Sequence, residues 1–70
     1  MSELLDARGL SCPQPVIMIR KAMANKEGNY RILVDNMVSV ENITRYAQHE
    51  GYLVSVTDKG DDYLIECSKQ

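Results

Sequence analysis

The sequence predicts a two-layer α+β sandwich: a mixed four-stranded sheet with two helices on one face, in the order βαβαββ. Three observations carry that expectation. Apolar residues alternate in four short runs and recur at helical spacing in two longer ones. The punctuation between them is Gly, Pro, Asn and Asp. A chain of 70 residues also has room for only a thin core, since one near this size buries only about 60% of the surface its unfolded form exposes.

The first strand is expected over Glu3-Leu4-Leu5-Asp6-Ala7-Arg8, with Gly9-Leu10-Ser11 as the turn after it. Helix one is expected from about Pro13 to Lys26, stopping near Gly28, with Val16, Ile19 and Met23 as its buried stripe and Arg20, Lys21 and Asn25 towards solvent. Strand two reads as Tyr30 to Asp35, with Tyr30, Ile32 and Val34 on one face. Asn36-Met37-Val38-Ser39 is expected as a turn, and either Ser39 or Asn36 caps helix two. Val40, Ile43 and Ala47 form that helix's inner stripe, His49 lies on its polar side near the end, and Gly51 is placed for a left-handed cap. Strands Tyr52–Thr57 and Tyr63–Cys67 close the chain as an antiparallel hairpin around Asp58-Lys59-Gly60-Asp61-Asp62.

The helical crossovers imply parallel pairing of the strands that each joins. Tyr52/Val54/Val56 and Tyr63/Ile65/Cys67 would face the helices. Leu33, Leu53 and Leu64 would lie on the other face among Arg31, Ser55, Thr57 and Glu66, either as a contact surface or as scattered exposed leucines.

Composition excludes several classes of function. Hydrophobic residues at 44% and charged ones at 26% are those of a globular domain, expected to be single over 1–70. A formal net charge of −2, without a basic, aromatic-interleaved stripe, argues against nucleic acid and anionic membranes as partners. The acidic start Met1–Asp6 lacks the features of a signal peptide, and no apolar stretch approaches spanning length, so a cytoplasmic location with reduced thiols is expected. Two cysteines and one histidine lack metal-ligand spacing, so neither a metal nor another cofactor is expected. Met18 and Met23 read as gap-filling residues.

Cys12-Pro13-Gln14-Pro15 carries the chemistry. Proline has no N–H to leave unpaired and suits the first turn of a helix, so Pro13 and Pro15 mark that turn and put Cys12 at or beside the N-cap. Unpaired N–H groups and the positive end of the helix dipole favour a thiolate there. Arg8, Arg20 and Lys21 are candidates for thiolate support or for docking an acidic partner. A solvated face is the simpler reading of Arg20 and Lys21. Cys67 lies on a strand face where free cysteine behaves as a compact hydrophobe, with a second-thiol role as the alternative. The chain lacks Cys-x-x-Cys, an evident base and a substrate cleft.

The run Leu5-Asp6-Ala7-Arg8-Gly9-Leu10-Ser11-Cys12-Pro13-Gln14-Pro15-Val16 resembles the signature of the TusA/SirA/YedF family of small sulfur-carrier proteins, and the resemblance covers essentially the whole chain. It implies that Cys12 accepts sulfane sulfur as a persulfide, with Gly9, Pro13 and Pro15 shaping the turn. A persulfide donor such as a cysteine desulfurase and a downstream acceptor protein are the implied partners. The segment Val34-Asp35-Asn36-Met37-Val38-Ser39-Val40-Glu41-Asn42-Ile43 is more similar to the N-terminal domain of YedF-type proteins associated with selenium metabolism. A non-catalytic regulatory or RNA-binding module of the same fold, and a thiol oxidoreductase, are the competing classes.

Overall fold

The computed structural model describes residues 4–10, 14–24 and 28–69. Over these residues the chain forms β1 (Leu4–Asp6), α1 (Gln14–Met23), β2 (Asn29–Val34), α2 (Met37–His49), β3 (Tyr52–Asp58) and β4 (Tyr63–Lys69). The expected order and two-layer architecture are both present. Expected positions Glu3, Ser11, Cys12, Pro13, Asn25 and Lys26 lie outside the described residues.

The sheet runs β1-β2-β4-β3. β1 pairs parallel with β2, Leu5 opposite Ile32, whereas β4 is antiparallel to both its neighbours, Ile65 lying opposite Ile32 on one side and Val56 on the other. One expectation is thereby corrected. β2 and β3 run in the same direction, but they are not hydrogen-bonded, because β4 lies between them. The reason is burial: Ile65 and Cys67 of β4 are 0% and 1% exposed, while β3 carries Ser55, Thr57 and Asp58 in the open and takes the edge.

The α1 helix packs on β2, α2 on β3 and β4, and the helices pack on each other. The core between the layers joins Ile19 and Met23 of α1, Val40, Ile43 and Ala47 of α2, and Tyr30, Ile32, Val34, Tyr52, Ile65 and Cys67 of the sheet. Tyr30 and Tyr52 meet edge to face, ring centroids 5.9 Å apart. Val16 is only half-buried, and Pro15 takes a fully buried place at the start of the stripe. Val56 points to the helix side as expected but stays 42% exposed, because β3 is the edge strand and Val56 reaches only the flank of α2.

Helix α2 starts earlier than the expected turn allowed. Asn36 is the cap: its Oδ1 accepts the Ser39 N–H at 2.8 Å, so Met37, Val38 and Ser39 are already helical. At the far end Gly51 takes φ +90°, the left-handed value that follows a helix C-cap. Leu33 and Leu64 are paired across β2 and β4 on the open face and half-buried, while Leu4 and Leu53 are exposed there.

Ile65 touches both layers from the centre of the sheet, so Ile65→Ala is expected to lower stability by about 2–5 kcal/mol in urea unfolding, whereas Leu53→Ala stays within about 0.5 kcal/mol.

Candidate functional site

Three loops meet at the end of the sheet where β1 and β2 finish and β4 begins. Ala7 makes the last bond of β1, its N–H donating to Leu33 O at 2.9 Å. The chain then turns: Leu10 N–H donates to Ala7 O at 3.3 Å, and Gly9 takes φ +82°. A positive φ at the third position of a four-residue turn is what a type II turn requires, and glycine adopts it without a Cβ penalty. The Leu5–Leu10 part of the signature therefore folds as strand end and turn.

Two acidic loops hold that turn. Gly9 N–H donates to Asp35 Oδ2 at 2.7 Å, from the link between β2 and α2. Asn36 Nδ2 donates to Asp35 Oδ1 at 3.0 Å, so the carboxylate is held on both oxygens. The Gly9 N–H and the Asn36 amide both stabilise the ionised form and hold Asp35 below the usual carboxylate range. Arg8 makes a fork on Asp6, with Nε to Oδ1 at 2.9 Å and NH2 to Oδ2 at 2.8 Å. Its NH1 reaches Asp62 Oδ2 at 3.1 Å, in the loop between β3 and β4. These side chains are exposed or partly so, and water and salt screen their charges; their main effect is to fix geometry. Asp6 is pulled down to about 2, first by the Arg8 side-chain bonds, and the two acids hold Arg8 firmly protonated.

Cys12 and Pro13 lie outside the described residues, between Leu10 and the first residue of α1, Gln14. Pro15 is in the first turn of α1, as expected of a proline there. Of the other candidates, Arg8 and Gly9 belong to the loop cluster. Arg20 and Lys21 do not: they occupy the last turn of α1, about 9 Å further along its axis than Gln14. There they line a hollow of 580 Å³ with Met23, Tyr46 and Glu50, and their charge suits the helix C-terminus. His49 sits at the same end, in the last turn of α2.

Cys67 is enclosed by the core, opposite Tyr30 on β2 and Val54 on β3. Burial pushes its thiol up to about 11, so it is protonated and unreactive at neutral pH. Asp35, Asn36 and Asp62 were not among the sequence candidates. The Gly-Leu turn called for a nearby acceptor, but nothing local names a partner 26 residues away, as Asp35 is. Among the described residues no three His, Cys, Asp or Glu side chains converge as a metal would require.

The Asp6 shift fixes the sign of an acid response. A carboxylate with a depressed folded value stabilises the fold above its unfolded value, near 3.8, and that contribution is lost as pH falls towards 2. Asp6→Asn is therefore expected to be less stable than the parent at neutral pH, the two urea midpoints converging as pH drops from about 4 to about 2.

The whole described fold has counterparts. The crystal structure of the SirA-like protein from Desulfitobacterium hafniense superposes with a TM-score of 0.88 at 30% identity, covering 97% of this chain and 96% of that one. A protein of Methanocaldococcus jannaschii named "Putative sulfur carrier protein MJ0990" is 33% identical over 57 residues, 79% of this chain and 76% of that protein. One of Bacillus subtilis named "Putative sulfur carrier protein YrkI" is 32% identical over 62 residues, 84% of this chain and 83% of its own. The family model described as "Sulfurtransferase TusA" matches residues 3–69, and with the strand end, turn and helix of its signature in place, this chain belongs to the TusA family.

Proposed function

We propose that this protein is a sulfur carrier, taking sulfane sulfur on Cys12 as a persulfide and relaying it to an acceptor protein. The observation that carries this reading is the Cys12-Pro13-Gln14-Pro15 motif at the approach to α1 in a chain of the TusA family. The local physics supports it. Helix α1 has no acidic residue in its described first turn, so the positive end of its dipole is not offset by a carboxylate there. Thiols at helix N-termini are acidified, and backbone N–H groups at such ends favour anions.

The step balances without a cofactor. The Cys12 thiolate attacks the outer sulfur of a donor persulfide, R–S–SH. The donor S–S bond breaks, its electron pair leaves on R–S⁻, and the proton stays on the transferred sulfur as Cys12–S–SH. Delivery repeats the displacement with an acceptor thiolate and regenerates the Cys12 thiolate. A cysteine desulfurase is the donor of matching chemistry. The proposed setting is the cytoplasm, where thiols stay reduced. The protein acts as a co-substrate of its partners. Selenium is the alternative cargo, supported by the similarity of the Val34–Ile43 segment to YedF-type domains.

Incubation with a cysteine desulfurase and cysteine, read by intact mass, is expected to add one sulfur atom to the parent chain, none to Cys12→Ala and one to Cys67→Ala. A parent chain that gains nothing from a competent donor refutes the proposal. Under native conditions iodoacetamide is expected to label Cys12 and to reach Cys67 only on unfolding, because Cys67 is 1% exposed. Peptide mapping reads the two sites separately.

A further inference from the structure

After Ala7 the chain leaves the ladder, and its following backbone donors have no strand opposite them. The Gly9 N–H finds Asp35 Oδ2 at 2.7 Å. Asp35 is itself anchored, because Asn36 Nδ2 donates to its other oxygen at 3.0 Å while Asn36 Oδ1 accepts the Ser39 N–H at 2.8 Å. One carboxylate thus ties the capped start of α2 to a turn that ends two residues before Cys12. We infer that Asp35 is a positioning residue for Cys12: by accepting the Gly9 N–H it sets the direction in which the chain leaves β1 towards the thiol. The inference rests on the carrier reading of Cys12.

Arg8 is the other tie on this loop, but it acts from a side chain, on Asp6 within its own strand and on Asp62. Asp35 bonds the turn's backbone, at the residue whose φ of +82° defines the turn. Losing Arg8 leaves that bond in place. Losing Asp35 leaves the Gly9 N–H to water and frees the turn from α2. An asparagine at position 35 still offers Oδ1 to the Gly9 N–H, but turns an amide rather than an oxygen towards the Asn36 amide, and it carries no charge. It therefore separates the acceptor from the charge. Asp58 provides a control, since its Oδ1 accepts the Gly60 N–H at 2.8 Å in the hairpin loop without touching the Gly9 turn.

The test uses the full chain and three variants: Asp35→Ala, Asp35→Asn and Asp58→Ala. It reads iodoacetamide labelling of Cys12 at fixed pH, sulfur loading by desulfurase, and the Gly9 amide proton by NMR. Asp35→Ala is expected to move the Gly9 resonance upfield, to speed its exchange by ~10-fold, and to slow Cys12 labelling and loading by at least about threefold. Asp35→Asn is expected to restore Gly9 protection and to label within about twofold of the parent. Asp58→Ala should match the parent in all three readouts.

Two results overturn the inference: Asp35→Ala releases the Gly9 amide yet labels and loads at the parent rate, or Asp58→Ala slows Cys12 as much as Asp35→Ala does. If Asp35→Ala does not fold, Asp35→Asn decides, and slowed labelling with Gly9 still protected counts against positioning. Failure of the carrier reading looks different, since the parent would then label at Cys12 and take no sulfur. The Gly9 and labelling readouts would still stand or fall by themselves.

Discussion

The helices α1 and α2 cover one face of the sheet and leave the other open, and that constraint arranges the rest of the molecule. Apolar positions on α1, on α2 and on the helix-facing side of the strands must all meet in a single layer, which is where Ile19, Ile32, Ile43 and Ile65 lie, each fully buried. Contacts in so thin a core are few, and the strand with the most apolar inner face belongs in the centre. That strand is β4. Its insertion between β2 and β3 brings the β3–β4 loop, and with it Asp62, to the end of the sheet where β1 finishes. The Arg8 contact to Asp62 is therefore a consequence of how the core is buried.

The two ends of the helical layer differ in chemistry for the same topological reason. Because β1 and β2 are parallel and each is followed by a helix running back, α1 and α2 start at the same end and stop at the same end. Arg20, Lys21 and His49 gather where the helices stop, complementing their dipoles. Asp6, Asp35 and Asp62 gather at the opposite end, and each is engaged by a donor: Arg8 for two of them, the Gly9 N–H and the Asn36 amide for the third. Such engagement matters beside a thiol that must ionise, because a nearby carboxylate without donors would oppose the thiolate more strongly than one whose charge is shared with N–H groups.

Much of this was legible in the sequence, for reasons that are local. Period-two alternation placed Tyr30, Ile32 and Val34 on one face, and helical spacing placed Val40, Ile43 and Ala47 together; both patterns depend only on neighbours along the chain. Strand order does not. A hairpin can add its second strand outside the first or fold it inwards, and the decision rests on comparing how much apolar surface β3 and β4 each have to bury. The polar Ser55, Thr57 and Asp58 of β3 were the available signal. The choice between Asn36 and Ser39 as cap was open in sequence because both side chains can accept an N–H; Ser39 is drawn into the helix by its burial, at 1% exposure. The loop cluster was the least visible part. Arg8 meets Asp62 54 residues away and Gly9 meets Asp35 26 residues away, and such pairs become neighbours only once the sheet is built.

A carrier that works inside complexes with its partners has to offer its reactive atom without disturbing the core that holds it up, and the end of the sheet is where this fold permits that. The covered face is committed to packing, and the open face is backed by strands whose donors and acceptors are taken by the ladder. At the end, by contrast, helix starts leave N–H groups unpaired, prolines are tolerated, and loops can be braced by polar side chains without displacing apolar ones. The bracing uses Arg8, Asp35, Asn36 and Asp62, and these exposed or partly exposed groups add nothing to the buried layer. Separation of this kind fits a fold kept at a TM-score of 0.88 when only 30% of residues are identical, since an apolar pattern is enough to preserve the layers. What distinguishes one such chain from another can then be concentrated in the loops that surround the motif.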